Sequence, residues 1–373
     1  MSQSGIYGEL KSVWWVAREG LRWPEAPKQV HWVLSDLCNS DCNFCSYRLS
    51  GNPSNELFAA GSKLSAYGHD NPVRWVDTDR AMRLIDEMKS LGVLAVQMTG
   101  GGEPSVHPDH ERIFAKALDS GIRLSLVSNG YRWREAIFPL IPRMDWLRIS
   151  VDAGCAKTYS DMRRVPESGF RKVLLNISRA AAEIRNANSP TVLGVGFTVT
   201  PDNWHEIVEG VGAAKSARAH NIRLSAMFGP DNEKPFLPIY DQIKALIVKA
   251  KTEHEDETFT VYDNFGSRLD DLVQHSPDYS TCAYQYYTSY IGGDLHAYRC
   301  CVLSYNRQGM IATGDLSNQR YDDFWHSQAR RDDFAKYDSK SCPRCMFNAK
   351  NRALLYVMGN TESDTSPRHI EWT

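Results

Sequence analysis

From Gln29 onward, short apolar runs in which hydrophobic and polar residues alternate take turns with longer runs whose apolar positions recur at helical spacing. The first kind predicts strands near 29–36, 93–98, 123–128, 146–151, 191–199 and 222–227. The second predicts helices over 77–90, 108–119, 131–139, 168–186 and 203–219. Six strand-helix repeats in this order predict an α/β fold whose parallel sheet curls into a partial (β/α)6 barrel, with its chemistry at the strand C-terminal ends. A helical leader over 7–19, carrying Trp14, Trp15 and Val16, is expected to pack against the barrel edge. A helical stretch at 238–252, a strand at 258–262 and a segment at 267–275 form a bridge to the last quarter of the chain. The expected layout is a leader over 1–28, a barrel over 29–230, a bridge over 231–280 and a small cysteine-rich domain with a tail over 281–373. Between the first strand and the first long helix, 46–75 is rich in Gly, Ser, Asn and Pro and too long for a plain turn; a substrate lid is expected there.

Composition narrows the class without naming a chemistry. The chain has 373 residues, 42% hydrophobic and 24% charged, the proportions of an ordinary globular protein. A net charge of -2 gives no global field that would advertise nucleic acid or an anionic membrane. The first residues lack the basic and apolar regions of a secretory signal, and no apolar run approaches a membrane span, so a cytoplasmic location and no membrane partner are expected. In a reducing compartment nine cysteines read as metal ligands or reactive thiols. Eight of them fall into two clusters, and Cys155 stands apart.

The first cluster is Cys38, Cys42 and Cys45, a C-x3-C-x2-C loop that follows the first predicted strand. Three thiolates in one short loop suit three corners of a cubane [4Fe-4S] cluster and leave the fourth iron open to a small molecule. A structural zinc site would favour paired C-x2-C knuckles. Roughly 55 residues later the second strand runs into Thr99-Gly100-Gly101-Gly102-Glu103-Pro104. The third ends in Ser128-Asn129-Gly130, and the fourth reads Arg148-Ile149-Ser150-Val151-Asp152, with Tyr159 and Arg163 following.

These stations, with the aromatic Phe44 before the third cysteine, resemble the radical S-adenosylmethionine (SAM) superfamily. The resemblance implies SAM and a SAM-binding [4Fe-4S] cluster on Cys38, Cys42 and Cys45. In that family SAM chelates the unique iron, an electron from the cluster cleaves it, and the 5'-deoxyadenosyl radical takes a substrate hydrogen. By likeness Phe44, Gly101, Gly102, Glu103, Ser128, Asn129, Ser150, Asp152 and Arg163 serve SAM. The glycine-rich turn and its carboxylate would take the amino group, and Ser150 and Arg163 the ribose or carboxylate. An electron donor such as flavodoxin or ferredoxin is the implied protein partner; nothing in the residues sets an oligomeric state.

The second cluster comprises Cys282, Cys300, Cys301, Cys342 and Cys345, with a hairpin-like 290–298 between the first two. It resembles the Twitch form of the auxiliary SPASM extension, which implies a second [4Fe-4S] cluster; zinc on the same thiols is the competing reading. Cys282, Cys300, Cys342 and Cys345 are the expected ligands. Adjacent strand residues face opposite sides, which assigns Cys301 to packing.

The resemblance fixes how a radical starts and leaves its fate open among isomerisation, epimerisation and dehydrogenation, so isomerase and oxidoreductase chemistry are both expected. Cys155, beyond the fourth strand, is a candidate hydrogen-atom donor, with a small buried hydrophobe as the plainer role. The expected substrate is an amine- or amino-acid-bearing small molecule or a modified nucleoside. No added module of the kind peptide maturases often carry is expected before Gln29, which inclines the reading away from a ribosomal peptide. Two further functions compete with these: radical isomerisation of amino-acid-decorated thymidine in viral DNA, and a non-catalytic redox or binding module. His31, His107, His110 and His296 are expected to be satisfied histidines rather than ligands.

Overall fold

The computed structural model describes residues 24–47, 75–229, 233–304 and 312–359. The expected leader helix over 7–19 and nearly all of the expected lid lie outside the described residues. Ten strands share one sheet: β1 (Gln29–Val33), β2 (Ala95–Thr99), β3 (Arg123–Ser128), β4 (Trp146–Ser150), β5 (Val192–Val199), β6 (Asn221–Ala226), β7 (Thr260–Asp263), β8 (Thr288–Ile291), β9 (His296–Tyr298) and β10 (Gly314–Asp315). Their order is β10-β9-β8-β1-β2-β3-β4-β5-β6-β7. Strands β1 to β7 are parallel in sequence order, β8 adds parallel to β1, and β9 and β10 follow antiparallel. A seventh parallel strand therefore comes from the bridge, and the C-terminal hairpin continues the barrel sheet.

The helices are α1 (Thr78–Leu91), α2 (His110–Asp119), α3 (Ala156–Arg163), α4 (Ser168–Asn186), α5 (Ile207–Ser216), α6 (Tyr240–His254), α7 (Phe265–Gln274), α8 (Tyr284–Tyr287), α9 (Tyr321–His326), α10 (Gln328–Lys336) and α11 (Asn348–Gly359). None among the described residues is long and apolar enough to cross a membrane. Local chemistry sets the ends of α1: the Asp77 carboxylate accepts from Arg80 N at 2.8 Å, and Gly92 closes it at φ 98°. The expected helix over 131–139 is instead a 3-10 helix, Glu135–Arg143, because Pro139 and Pro142 each remove a backbone donor. The expected helix over 203–219 opens as a 3-10 turn before α5.

One buried ion pair fastens the C-terminal region to the barrel. Arg80 and Glu87 of α1 meet in two hydrogen bonds of 2.8 and 3.0 Å. Arg80 also donates to the carbonyls of Leu316 and Gln319, while Glu87 accepts from Tyr321 N at 2.9 Å. Burial of a charge is tolerable only when it is paired and its remaining hydrogen-bonding capacity is filled, and these contacts fill it.

Candidate active site

The backbone places the three-cysteine loop between two supports. On one side Gly102 N donates to Ser35 O (3.0 Å) and Glu103 N to Leu37 O (2.8 Å). A Cβ on Gly102 would lie 2.1 Å from Leu37 O, so only glycine permits this approach. On the other side Asp41 N donates to Arg163 O (3.0 Å) and Asn43 N to Met162 O (2.9 Å), at the C-terminal end of α3.

Glu103 is a strut between turns. Its carboxylate, 2% exposed, accepts from Ser105 N, Ser105 Oγ, Ser128 Oγ and Asn129 N at 2.7–3.1 Å. Asn129 then donates to Asn39 Oδ1 (2.7 Å) and, longer, to Cys38 Sγ (3.7 Å). The chain of contacts runs from the glycine turn through the end of β3 to the first cysteine.

Asp152 ties β4 to β5 and α3. It sits at φ 58°, pairs with Arg163, and accepts from Thr198 N at 2.6 Å. Its carbonyl accepts from Asn203 Nδ2 at 2.9 Å. Arg163 also donates to Val151 O at 3.3 Å and lies over the Tyr159 ring. Burial opposes its charge, but the Asp152 carboxylate more than offsets this and raises Arg163 above the ordinary arginine value.

A cavity of about 360 Å³ opens at the strand C-terminal ends. Cys38, Cys42, Cys45 and Phe44 line it with Gly101, Gly102, Glu103, Ser128, Asn129, Ser150, Asp152 and Arg163, so the residues expected to serve the cluster and SAM are brought together. The three cysteines line the cavity together with backbone and polar groups, a donor set that fits a cluster beside a small-molecule site. Cys155 is not brought there: it is exposed ahead of α3, its thiol facing Glu206 Oε1 (3.2 Å) and Thr158 Oγ1 (3.4 Å).

Cys282, Cys300, Cys342 and Cys345 line a second, buried cavity. Cys301 turns away and packs against Val33, Tyr290 and Tyr298. Burial pushes the Cys282 thiol up to about 12, with Cys345 adding to the effect, and burial also raises Cys300, Cys342 and Cys345. Four such groups in one place favour neutral thiols unless a cationic centre holds them as thiolates, which is the chemistry a cluster supplies. Hydrogen-bonding groups already point at the sulfurs: Tyr337 Oη lies 2.9 Å from Cys342 Sγ, Tyr279 Oη 3.4 Å from Cys345 Sγ, and Phe347 N donates to Cys345 Sγ at 3.3 Å. Among the described residues no three Cys, His, Asp or Glu side chains converge on one ion-sized point; a cubane takes one thiolate at each separate iron.

The second thiol set abuts the first cavity. Met346, one residue after Cys345, lines it, and Arg344 anchors the knuckle by donating to Gly229 O at 2.6 Å. Sequence reasoning missed Met346, Asn39, and the arginines Arg223 and Arg268, which also line the cavity. Alternation along β6 is the signal that would have found Arg223, since it shares a face with Asn221 and Ser225. The four histidines hold no common site: His107 Nε2 lies 2.7 Å from Val76 O, His110 Nδ1 2.8 Å from His107 O, and His296 Nδ1 3.1 Å from Asp294 O. Burial, then the Lys350 charge, lowers His31 to about 4.

A model of the Radical SAM superfamily matches residues 32–211. The chain is 28% identical over 196 residues to the AdoMet-dependent heme synthase of Methanosarcina barkeri, covering 52% of this chain and 49% of that protein. It is 27% identical over 154 residues to a probable GTP 3',8-cyclase of Pyrobaculum aerophilum, covering 41% of this chain and 44% of that protein. It thus spans about half the length of these curated relatives. In fold it is similar to the crystal structure of Streptococcus suis SuiB bound to precursor peptide SuiA, with a TM-score of 0.57 at 12% identity, over 86% of this chain and 68% of that one. The cysteine loop, the glycine turn and the strand-end residues that assemble around this cavity all lie within the part of the chain that matches the Radical SAM superfamily.

Proposed function

We propose that this protein is a radical SAM enzyme that removes hydrogen from a small amine- or amino-acid-bearing molecule or nucleoside. Cys38, Cys42 and Cys45 would hold the SAM-binding [4Fe-4S] cluster, and Cys282, Cys300, Cys342 and Cys345 the second. When bound, the first cluster and SAM supply the radical that abstracts the substrate hydrogen. The chain's own work is placement. Glu103 and Asn129 fix the loop at Cys38, the Asp152–Arg163 pair fixes it at Asp41 and Asn43, and the polar strand ends orient what enters.

The observation that carries this reading is the shared cavity, in which the cysteine loop meets the glycine turn and the ends of β3 and β4. Among the three fates, net dehydrogenation is favoured by position. Met346 joins the second thiol set to the cavity wall, where a second cluster could accept an electron, while the Cys155 thiol faces Glu206 instead. SuiB, similar in fold, was solved with a precursor peptide, and a peptide substrate is the reading this proposal displaces.

The test is anaerobic reconstitution followed by mass-spectrometric quantification of 5'-deoxyadenosine with SAM, reductant and separated metabolite, nucleoside or peptide fractions. Stimulation by the low-molecular-weight fractions, with a product two hydrogens lighter, is expected. Stimulation by the peptide fraction alone would overturn the small-substrate reading.

A further inference from the structure

Inside the barrel two arginines stand on the strands that flank β5. Arg148 on β4 and Arg223 on β6 alternate with the buried Leu147, Ile149, Ile222 and Leu224, which places both on the lumen face. The intervening strand β5 offers glycine at both registers: Gly194 pairs with Arg148, and Gly196 pairs with Arg223. A Cβ on Gly196 would lie 3.4 Å from Arg148 Cδ, so the Arg148 stem runs across β5 where a larger residue would crowd it. Arg148 exerts the largest influence on Arg223: its charge, then burial, then Arg268, holds Arg223 well below the ordinary arginine value. Burial lowers Arg148 to about 10.

Neither arginine forms a hydrogen bond or an ion pair among the described residues, and the Nε of each is buried without a partner. The contact Arg148 makes is with the Trp146 ring, 5.2 Å from its centroid. The buried Arg80 and Arg163 are treated differently: Arg80 has Glu87 and Arg163 has Asp152. Buried charge is ordinarily paired, and an unpaired pair of like charges is costly to keep. Arg223 lines the cavity beside Ser225, and lies two residues, one inward step, below that strand end. An anion entering between the two arginines would supply the acidic partner that neither has among the described residues.

We propose that Arg148 and Arg223 recognise a phosphate group of the substrate, so that the small molecule processed here is a phosphorylated one. The inference rests on the function proposed above and narrows its substrate class. Two uncompensated positive charges match a phosphate monoester, whose charge near pH 7 is about -1.5 to -2, better than a single carboxylate. Guanidinium forks suit phosphate oxygens. SAM also carries a carboxylate, so the test separates the two sources.

The reconstituted full chain is titrated anaerobically, without SAM, with inorganic phosphate, pyrophosphate and acetate by calorimetry, and its melting temperature is read with and without each. Phosphate or pyrophosphate should bind and raise the melting temperature, acetate should not, and Arg223→Gln and Arg148→Gln should each weaken phosphate binding at least tenfold. In phosphate-free buffer both variants should melt at or above the wild-type temperature, because each relieves an unpaired, partly buried charge. Equal stabilisation by acetate, unchanged phosphate binding in both variants, or a tenfold loss of SAM binding with phosphate binding intact would each overturn the proposal. A variant that melts lower without phosphate yet binds it as wild type would show the arginine to be structural, which also overturns it. Failure of the wild type to cleave SAM would sink the functional reading and leave the phosphate result standing by itself.

Discussion

Asp152→Asn isolates a charge at the hinge of the site. The Asp152 and Arg163 side chains are 2% and 3% exposed, so solvent screens neither. Asparagine keeps an oxygen for Thr198 N, but it loses the negative charge and turns an amide NH2 toward Arg163 in place of the accepting oxygen. Arg163 would then be left with the Val151 carbonyl at 3.3 Å and the Tyr159 ring. Removing one member of a buried pair costs about 3–5 kcal/mol, and these two residual contacts place the expected loss near the lower end, about 3 kcal/mol. Equilibrium urea unfolding of the metal-free protein by circular dichroism measures it. Because the Arg163 and Met162 carbonyls hold Asp41 and Asn43, the same variant should also incorporate less iron. The double variant Asp152→Asn/Arg163→Met removes both charges and should recover most of the stability. A loss below about 1 kcal/mol in the single variant, with no recovery in the double, would refute the pairing argument.

Other outcomes follow from separate parts of the molecule. Arg80→Met should cost about 3 kcal/mol, since it strands the Glu87 carboxylate, and should loosen the 316–321 segment in hydrogen exchange; unchanged exchange there would contradict the tie. Replacing Cys282, Cys300, Cys342 or Cys345 by alanine should lower reconstituted iron from about eight to about four per chain, whereas Cys301→Ala should leave it near eight. His31 is held neutral in the fold, so the unfolded chain binds its proton first as pH falls. Stability should therefore be lost as pH drops from 6.5 toward 4, by up to about 3 kcal/mol, and His31→Gln should flatten that loss in urea midpoints; an unchanged slope would remove His31 as the cause.

What the sequence disclosed depended on how local the constraint was. Cluster ligands must be close in space, and three of them in one loop are close in sequence, so Cys38, Cys42 and Cys45 could be read directly. The strands from Gln29 to Ala226 were legible because buried alternation has a short period. The 3-10 helix at Glu135–Arg143 was misread because an amphipathic pattern outweighed Pro139 and Pro142. The strut role of Glu103 was invisible because its partners Ser128 and Asn129 lie 25 and 26 residues away. Arg223 escaped for a similar reason: a lone arginine in a strand is ordinary until the register sets it beside Gly196 and near Arg148.

The central claim is that the cavity cleaves SAM through the cysteine loop. The most direct measurement is 5'-deoxyadenosine formed from SAM and dithionite by the anaerobically reconstituted protein, compared with Cys42→Ala. The account predicts 5'-deoxyadenosine from the wild type and none above background from the variant, which should still retain about four irons on its second thiol set. No 5'-deoxyadenosine from fully loaded wild type, or equal amounts from both proteins, would contradict it.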